Sequence, residues 1–352
     1  MSGASSEQKF PTLDGLRAVS ILLVLGCHLL PLGPKVLRLN EAAGAMGMSL
    51  FFALSGFLIT SGLIKNPSVT EFLARRITRI LPLAYGYTIV VFLVLTFNPK
   101  VLLWTNLFAT NYLTEYVDPG WTGHFWSLCV EIHFYVAFAI VVLIFGQRGI
   151  WVVWPACFCV TLMRINAGEY YPIITHLRAD EILTGACAAT LFHYVRLSPR
   201  IDKDKVIRLL PVALGLSVFL WAISSHPFSF QTQYIRPYAA ASLLLFSLNY
   251  GLFNQQSLLE SRPLRYIARI SYALYVIHPA TAHGWMSEGG TMTKYLLKRP
   301  ISFALSFAIA HFSTFYWERP WQTATKRWIQ WRRQKTLAGI AVPNGLHSRD
   351  IA

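Results

Sequence analysis

Residues 13–32, LDGLRAVSILLVLGCHLLPL, decide the fold class of this chain. The only charged or histidine side chains in the stretch are Asp14, Arg17 and His28, and its length is about that of a helix crossing a bilayer. Eleven helical steps separate Arg17 from His28, so both side chains point within about 20° of one direction and lie about 16 Å apart along the axis. One face of this predicted span therefore carries a cation at one end and an imidazole at the other.

The composition of the whole chain is that of an integral membrane protein. Hydrophobic residues make up 54% of the 352 residues and charged residues only 13%. We predict an all-α fold, a polytopic transmembrane bundle of about ten helices with a cytoplasmic N-terminus. The predicted spans lie near 13–32, 45–64, 80–98, 125–145, 149–165, 178–195, 207–223, 236–252, 266–284 and 300–317.

The strong positive charge fits a membrane topology rather than binding to nucleic acid. With the N-terminus inside, most of the 31 Lys and Arg residues fall on inner loops and on the end of the chain, as the positive-inside rule requires. We predict a cytoplasmic segment over 1–12, a membrane domain over 13–320 and a basic cytoplasmic tail over 321–352, which we expect to form an interfacial helix that frays.

The cysteines predict neither a disulfide framework nor a metal site. Their number is odd, all of them lie in apolar stretches, and they lack ligand spacing. They are Cys27, Cys129, Cys157, Cys159 and Cys187. We expect no metal and no permanently bound cofactor.

Ionisable residues inside predicted spans are the first candidates for a functional site. Each costs a few kcal/mol in lipid, so such residues usually face the bundle interior or a wet cavity. They are His28, Glu131, His278, Asp180 and Glu181. A single intramembrane histidine is more often a packing residue hydrogen-bonded to a neighbouring helix, but several ionisable residues together favour a site.

The predicted span 125–145 carries a polar stripe. His124, Glu131 and Tyr135 fall within about 40° on a helical projection, with Trp126 and Ser127 beside them. We expect the stripe to face inward.

A second candidate is an arginine cluster in EFLARRITRILP, residues 71–82. Arg75, Arg76 and Arg79 lie within little more than one helical turn, and we expect a turn at Pro82 to place them at the inner surface, level with Arg17. The planar guanidinium suits phosphate oxygens, so the cluster predicts an anion clamp. Anchoring to lipid headgroups is the alternative for the same charges.

Together the two candidates predict a donor with several phosphates, held from the cytoplasm, and chemistry nearer the outer face. Coenzyme A fits, because its phosphates could stay with the arginines while the pantetheine arm carries a thioester to the depth of His28. A neutral imidazole can deprotonate an acceptor hydroxyl at cellular pH. Glu131 could orient that base or balance its charge.

Several sequence blocks follow the opening stretch, in which an arginine, ten residues and a histidine succeed one another. They are FFALSGFLIT at 51–60, ARRITRILP at 74–82, HFWSLCVEIHFY at 124–135, ISYALYVIHP at 270–279 and FYWERP at 315–320. In these blocks and in their order the chain resembles acyltransferase family 3, a family of membrane O-acyltransferases. One departure is visible, since the family often has a second glutamate and a glutamine where this chain has Ile132 and His133.

The resemblance implies a cytoplasmic acyl-CoA donor, most often acetyl-CoA, and an acceptor reached at the membrane or its outer side. We therefore expect His28 and Glu131 to be catalytic. The expected acyl-CoA-binding residues are Arg17, Arg75, Arg76 and Arg79, and those of the substrate tunnel are His124, Trp126, Ser127, Tyr135, Ser271, Tyr272 and His278.

We predict acetyl transfer to a carbohydrate hydroxyl, in lipopolysaccharide, O-antigen or exopolysaccharide, at the bacterial inner membrane. Acylation of a glycosylated or macrolide-type metabolite by the same chemistry is an alternative. A secondary transporter or flippase for a lipid-linked sugar is another, with the buried histidines and Glu131 as a proton relay, although the chain lacks the paired repeats typical of such proteins. A purely structural subunit ranks last, because buried ionisable residues are costly to keep without chemistry.

Overall fold

The computed structural model describes residues 10–96, 98–116, 120–197, 203–253 and 258–340. Within these ranges the chain is all-α, with no strand, and the predicted fold class is confirmed. The α-helices are α1 Pro11–Leu29, α2 Leu39–Lys65, α3 Val69–Val91, α4 Pro99–Asn106, α5 Trp126–Phe145, α6 Val153–Asn166, α7 Thr175–Arg178, α8 Asp180–Leu197, α9 Lys203–Ser225, α10 Arg236–Phe253, α11 Arg262–Ala282, α12 Arg299–Phe312 and α13 Arg319–Ile340.

A helix occupies the place of each of the ten predicted spans. Among the described residues, five helical stretches are both long and apolar enough to cross a membrane, and the total number of spans and their orientation stay predictions. These stretches are Pro11–Leu29, Lys35–Lys65, Val69–Val94, Gly123–Asn166 and Arg208–Ser225.

Helix α2 lies at the centre of the bundle, where it packs against α1, α8 and α10. It crosses α8 so closely that only glycine fits at two positions. A Cβ added at Gly56 would lie 1.8 Å from the carbonyl oxygen of Ile182, and one added at Gly185 would lie 2.0 Å from that of Ala53. Small residues let helix backbones approach in this way in membrane bundles.

Two apolar cores flank α1 and α2. One joins them to α3, α5 and α11, and the other joins them to α8, α9 and α10. The predicted site residues belong to helices of the first core, and the face of α1 that carries Arg17 turns toward that side. The second core supports α1 and α2 from behind.

The prediction of a turn at Pro82 is wrong, because α3 runs unbroken from Val69 to Val91 with Pro82 inside it. Interior proline is tolerated in membrane helices where neighbouring elements supply other partners. The group that Pro82 deprives of its helical partner is the carbonyl of Thr78, four residues earlier. Trp317 Nε1 donates instead to the carbonyl of Pro82 itself, at 3.1 Å, and so ties α3 to the segment before α13. Arg79 consequently lies ten residues into the helix, about 15 Å along its axis from Val69, rather than at its start.

Up to Ile340, the predicted basic tail is helical. The described part of the predicted tail belongs to α13, which packs along α3. Arg333 makes two hydrogen bonds to Glu71, with N···O distances of 2.8 and 2.6 Å, and Thr325 donates to Thr78 at 3.0 Å. The predicted boundaries fall partly outside the described residues, since 1–9 and 341–352 are not among them.

Candidate active site

A cavity between α1, α2, α3, α5 and α11 gathers three of the four predicted acyl-CoA-binding arginines. Arg17 enters it from α1, and Arg76 and Arg79 enter it from α3. The other lining residues come mostly from α2, α5 and α11. They are Phe51, Leu54, Ser55, Leu58, Ile80, Glu131, Tyr135, Ser271 and Tyr272.

Glu131 is the carboxylate of this cavity, which we call the arginine cavity. Its Oε1 accepts hydrogen bonds from the Ser55 hydroxyl and, at 2.6 Å, from the Tyr135 hydroxyl. The guanidinium of Arg76 lies over the Tyr135 ring, 5.4 Å from its centroid. Three guanidinium groups therefore line the cavity with one carboxylate, while Asp14 and Glu318 lie near Arg17 and Arg79 but do not line it. The guanidinium groups suit the oxygens of an anion with several negative charges.

A second cavity continues from the arginine cavity along α1. The two share Arg17, Phe51 and Ser271 as lining residues. The rest of its wall is mostly apolar and consists of Ser20, Ile21, Val24, Met48 and Tyr275. Because Val24 lies one helical turn before His28 on the same face, this apolar cavity leads from the arginines toward the end of α1 that carries His28.

Three histidines meet at that end of α1. The ring centroid of His278 lies 5.1 Å from that of His28 and 5.5 Å from that of His124. His278 is 1% exposed, whereas His28 is exposed. Tyr275 closes the cluster, because its hydroxyl donates to the His124 carbonyl at 2.7 Å and hydrogen-bonds to the Ser127 hydroxyl.

The position of His28 differs from the expected one. It lies in the last turn of α1, which ends at Leu29. The sequence instead predicts a span running to residue 32, with His28 about four residues inside. The apolar Leu30, Pro31 and Leu32 follow the helix without extending it. His28 is therefore at the helix end, where a water-borne acceptor could reach it.

Glu131 has different partners from those expected. The sequence pairs it with His28, but its hydrogen bonds go to Ser55 and Tyr135, and it lines the arginine cavity about three turns of α1 away from His28. The structure places His28 with His278 instead. Helical depth alone suggests the pairing, because both residues lie in the outer half of their spans.

Arg75 and Trp126 lie outside the two cavities. Arg75 Nη2 lies 4.0 Å from a Glu71 oxygen on the side of α3 where α13 packs. Trp126 packs against Phe52, with ring centroids 5.8 Å apart. The guanidinium carbon of Arg178 lies over the Trp126 ring, 5.2 Å from the centroid of that ring. The structure thus does not bring these two predicted site residues to the cavity walls.

The remaining predicted tunnel residues lie in or beside the cavities. Ser271 lines both, and Tyr272 lines the arginine cavity, where its hydroxyl donates to the Ile80 carbonyl at 2.6 Å. Ser127 reaches the histidine cluster through Tyr275. Tyr135 lies at the arginine end, next to Glu131.

Sequence reasoning missed Ser55 and Tyr275. Ser55 belongs to the block FFALSGFLIT, whose polar residues lie on a helix that is otherwise apolar. Tyr275 follows Ser271 by four residues and precedes His278 by three, so the three share a helix face. That spacing is a usable signal.

Asp180 and Glu181 serve a separate, fully buried ion network at the ends of α6, α7, α8 and α10. Arg164 pairs with Asp180 at 2.6 Å. Glu181 pairs with Arg236 at 2.9 Å and with Arg178 at 3.1 Å. These contacts link four helices, α6, α7, α8 and α10, and account for both carboxylates without substrate.

The family model described as "Acyltransferase domain" matches residues 10–314. The chain therefore belongs to acyltransferase family 3, as its sequence blocks predict.

Curated proteins with related sequences carry names that agree with the family. The chain is 24% identical over 319 residues to "Peptidoglycan O-acetyltransferase OatA" of Listeria monocytogenes, a match covering 78% of this chain and 49% of the relative. It is 25% identical over 327 residues to "O-acetyltransferase OatA" of Staphylococcus aureus, covering 78% and 50%. The chain thus spans about half the length of these relatives. No solved structure matches it significantly.

Proposed function

We propose that this protein is a membrane O-acetyltransferase that takes an acetyl group from acetyl-CoA on the cytoplasmic side and transfers it to a hydroxyl of a cell-surface glycan. The observation that carries the proposal is the pair of adjoining cavities, one lined by three arginines and the other running along α1 as far as Val24, one helical turn before His28. The distance along α1 between Arg17 and His28, about 16 Å, suits an extended pantetheine arm.

The donor would bind with its phosphates at Arg17, Arg76 and Arg79. Guanidinium groups form charge-assisted hydrogen bonds with phosphate oxygens, and the arginine cavity offers three of them. We assign Glu131 to this end, where its hydrogen bonds with Ser55 and Tyr135 would fix the cavity wall against the donor. The pantetheine arm and its thioester would follow the apolar cavity, which has to widen on binding because its present volume is about 10 Å³.

At the other end His28 would act as the general base. As the acceptor oxygen attacks the thioester carbonyl, the C–O bond forms, the imidazole takes the hydroxyl proton, the C–S bond breaks and the proton passes to the CoA thiolate. In a variant, the imidazole itself first takes the acetyl group. Labelled acetate would then stay on the protein without acceptor, with ping-pong kinetics.

The acceptor is proposed from the names of the relatives. Two of them are O-acetyltransferases, one of peptidoglycan, and a cell-wall or cell-surface glycan is the class of acceptor that fits both. A lipopolysaccharide, O-antigen or exopolysaccharide unit is the finer form of this proposal. A location in the bacterial inner membrane would place the arginines toward cytoplasmic acetyl-CoA.

The test is release of free thiol from acetyl-CoA by the purified protein with a cell-envelope glycan extract. We expect thiol release in the native protein, none in His28→Ala, and a raised acetyl-CoA requirement in the Arg76→Ala, Arg79→Ala double variant. Absence of release with any acyl-CoA, together with movement of a lipid-linked sugar across vesicles, would overturn the proposal in favour of a transporter.

A further inference from the structure

The histidine cluster carries more organisation than a single catalytic base requires. Two of its three imidazoles have one ring nitrogen bound to a backbone carbonyl, and both carbonyls belong to consecutive residues of α11. The inference that follows rests on the proposed function, because it concerns the base of that reaction.

The ring of His278 is held in one protonation form. Its Nδ1 lies 2.7 Å from the Tyr275 carbonyl oxygen, which can only accept, so Nδ1 carries a hydrogen. In the neutral imidazole Nε2 is then left with a lone pair. Among the rings that pack against His278, the ring of His28 is the nearest, with 5.1 Å between the two centroids. This distance lets a nitrogen of one ring hydrogen-bond to a nitrogen of the other when they face each other.

His124 is held by the same argument. Its Nε2 lies 3.1 Å from the Val276 carbonyl oxygen and therefore donates, which leaves the lone pair on Nδ1. That Nδ1 is buried and has no hydrogen-bond partner. Burying an acceptor without a partner costs free energy, so an unpaired one in a native site calls for a ligand or a role. The His278 ring lies 5.5 Å away.

The frame around these rings is rigid. The Tyr275 hydroxyl donates to the backbone carbonyl of His124 and hydrogen-bonds to Ser127, which fastens the start of α5 to the turn of α11 that holds both rings. Thr281 donates to the His278 carbonyl at 3.0 Å and bonds to Ser306 of α12. The two lone pairs are therefore preorganised, as an acid–base site requires.

We propose that His278 is a positioning residue for His28 and that these two imidazoles share one proton. His278 Nε2 accepts the N–H of neutral His28, which leaves the other nitrogen of His28 as the base. When His28 takes the acceptor's proton, the His278 Nε2 lone pair stabilises the imidazolium by accepting its other N–H, while Nδ1 of His278 keeps its hydrogen bond to the Tyr275 carbonyl. The proton finally returns through His28 to the CoA thiolate, so the cluster ends as it began.

In this arrangement a second group orients the catalytic base, as a carboxylate orients the histidine of a serine hydrolase. Here the base is His28, and the neutral imidazole of His278 takes the place of the carboxylate. Glu131 does not take that part, since it is bound at the other end of the cavities. A role in metal binding is not indicated, because within the part of the chain that the structure describes no group of three His, Cys, Asp or Glu residues is placed to hold an ion.

The test compares His278→Met with His278→Gln in the thiol-release assay. Methionine fills similar space without a hydrogen-bond acceptor of comparable strength, whereas the glutamine carbonyl can accept from His28. We expect kcat to fall about 10²-fold in the methionine variant. In the glutamine variant we expect kcat to be at least about tenfold higher than in the methionine variant. The KM for each substrate should stay within about twofold of the native value in both variants. His311→Gln is the control, because His311 pairs with Tyr266 on an exposed surface.

Binding of acetyl-CoA at the arginine end reports the folded fraction of each variant, so turnover is expressed per binding-competent molecule. Equal loss of kcat in both variants, native turnover in the methionine variant, or a change confined to the KM for the glycan would each overturn the positioning role. Failure of the proposed function is a separate result, recognised because the native protein then releases no thiol.

Discussion

The protein contains two clusters of three arginines, and they are built in opposite ways. In the buried ion network, Arg164, Arg178 and Arg236 are at most 3% exposed and each pairs directly with Asp180 or Glu181. In the arginine cavity, the arginines share a single carboxylate, Glu131, which is hydrogen-bonded to hydroxyl groups. Among the described residues, none of the three cavity guanidinium groups forms an ion pair.

The difference separates arginines that stabilise the fold, in the buried ion network, from arginines that we propose bind a ligand, in the arginine cavity. A buried arginine whose charge is matched within the protein contributes to the packing of helices, and removal of its partner is costly. Cavity arginines without carboxylate partners need an external anion to complete their hydrogen bonds. We therefore propose two roles for arginine in this protein, and the partners of each side chain distinguish them.

The largest expected effect is on stability, from Glu181→Gln. The change leaves Arg178 and Arg236 buried with Asp180 as the remaining carboxylate, and breaking a buried pair costs about 3–5 kcal/mol. We expect a loss of this size in the free energy of unfolding, measured by denaturant titration in detergent. Glu41→Gln is the control, because Glu41 pairs with Arg38 on the surface. A loss below about 1 kcal/mol would mean that the network does not hold the fold.

The Arg76→Ala, Arg79→Ala double variant is expected to affect the donor and not the fold. Each charge-assisted hydrogen bond contributes about 1.5–3 kcal/mol, so we expect the KM for acetyl-CoA to rise at least about 10²-fold. The matched control is Arg75→Ala, on the same helix but outside the cavity. Equal effects of the control and the double variant would show that the arginines attract anions only through general charge.

Glu131→Gln sharpens the comparison further. The glutamine carbonyl can still accept from Ser55 and Tyr135, but the negative charge is gone, so we expect acetyl-CoA to bind several-fold more tightly, by about 1 kcal/mol. Isothermal calorimetry measures this directly. A fall in kcat with unchanged binding would instead support the original expectation that Glu131 orients His28.

The smallest expected effect comes from Arg333→Met, which removes the link between α13 and α3. Arg333 is half exposed at its contact with Glu71, and exposed ion pairs contribute about 0.2–1 kcal/mol. Thermal unfolding should therefore shift little, and the shift should shrink further at high salt. A large, salt-independent loss would show that α13 is part of the core.

The sequence was sufficient for the fold class and for one face of one helix. The lengths of the apolar stretches predicted the positions of the helices. The eleven-residue spacing predicted that Arg17 and His28 share one face of α1; on that face Arg17 lines both cavities, and His28 lies beyond their ends. The partners of Glu131 and Glu181 could not be predicted, because periodicity fixes which way a side chain points and not which helix lies opposite. Ser55 lies 76 positions from Glu131, and Arg236 lies 55 from Glu181.

The proposed function requires one continuous route from a donor site on the cytoplasmic side to chemistry at the other face. The most direct test traps acetyl-CoA inside proteoliposomes and supplies the glycan outside. We predict acetylated glycan in that arrangement. We predict no product when acetyl-CoA and the glycan are both supplied only on the outside, and none with His28→Ala in either arrangement. Product formed equally well with both substrates on one side would contradict the account.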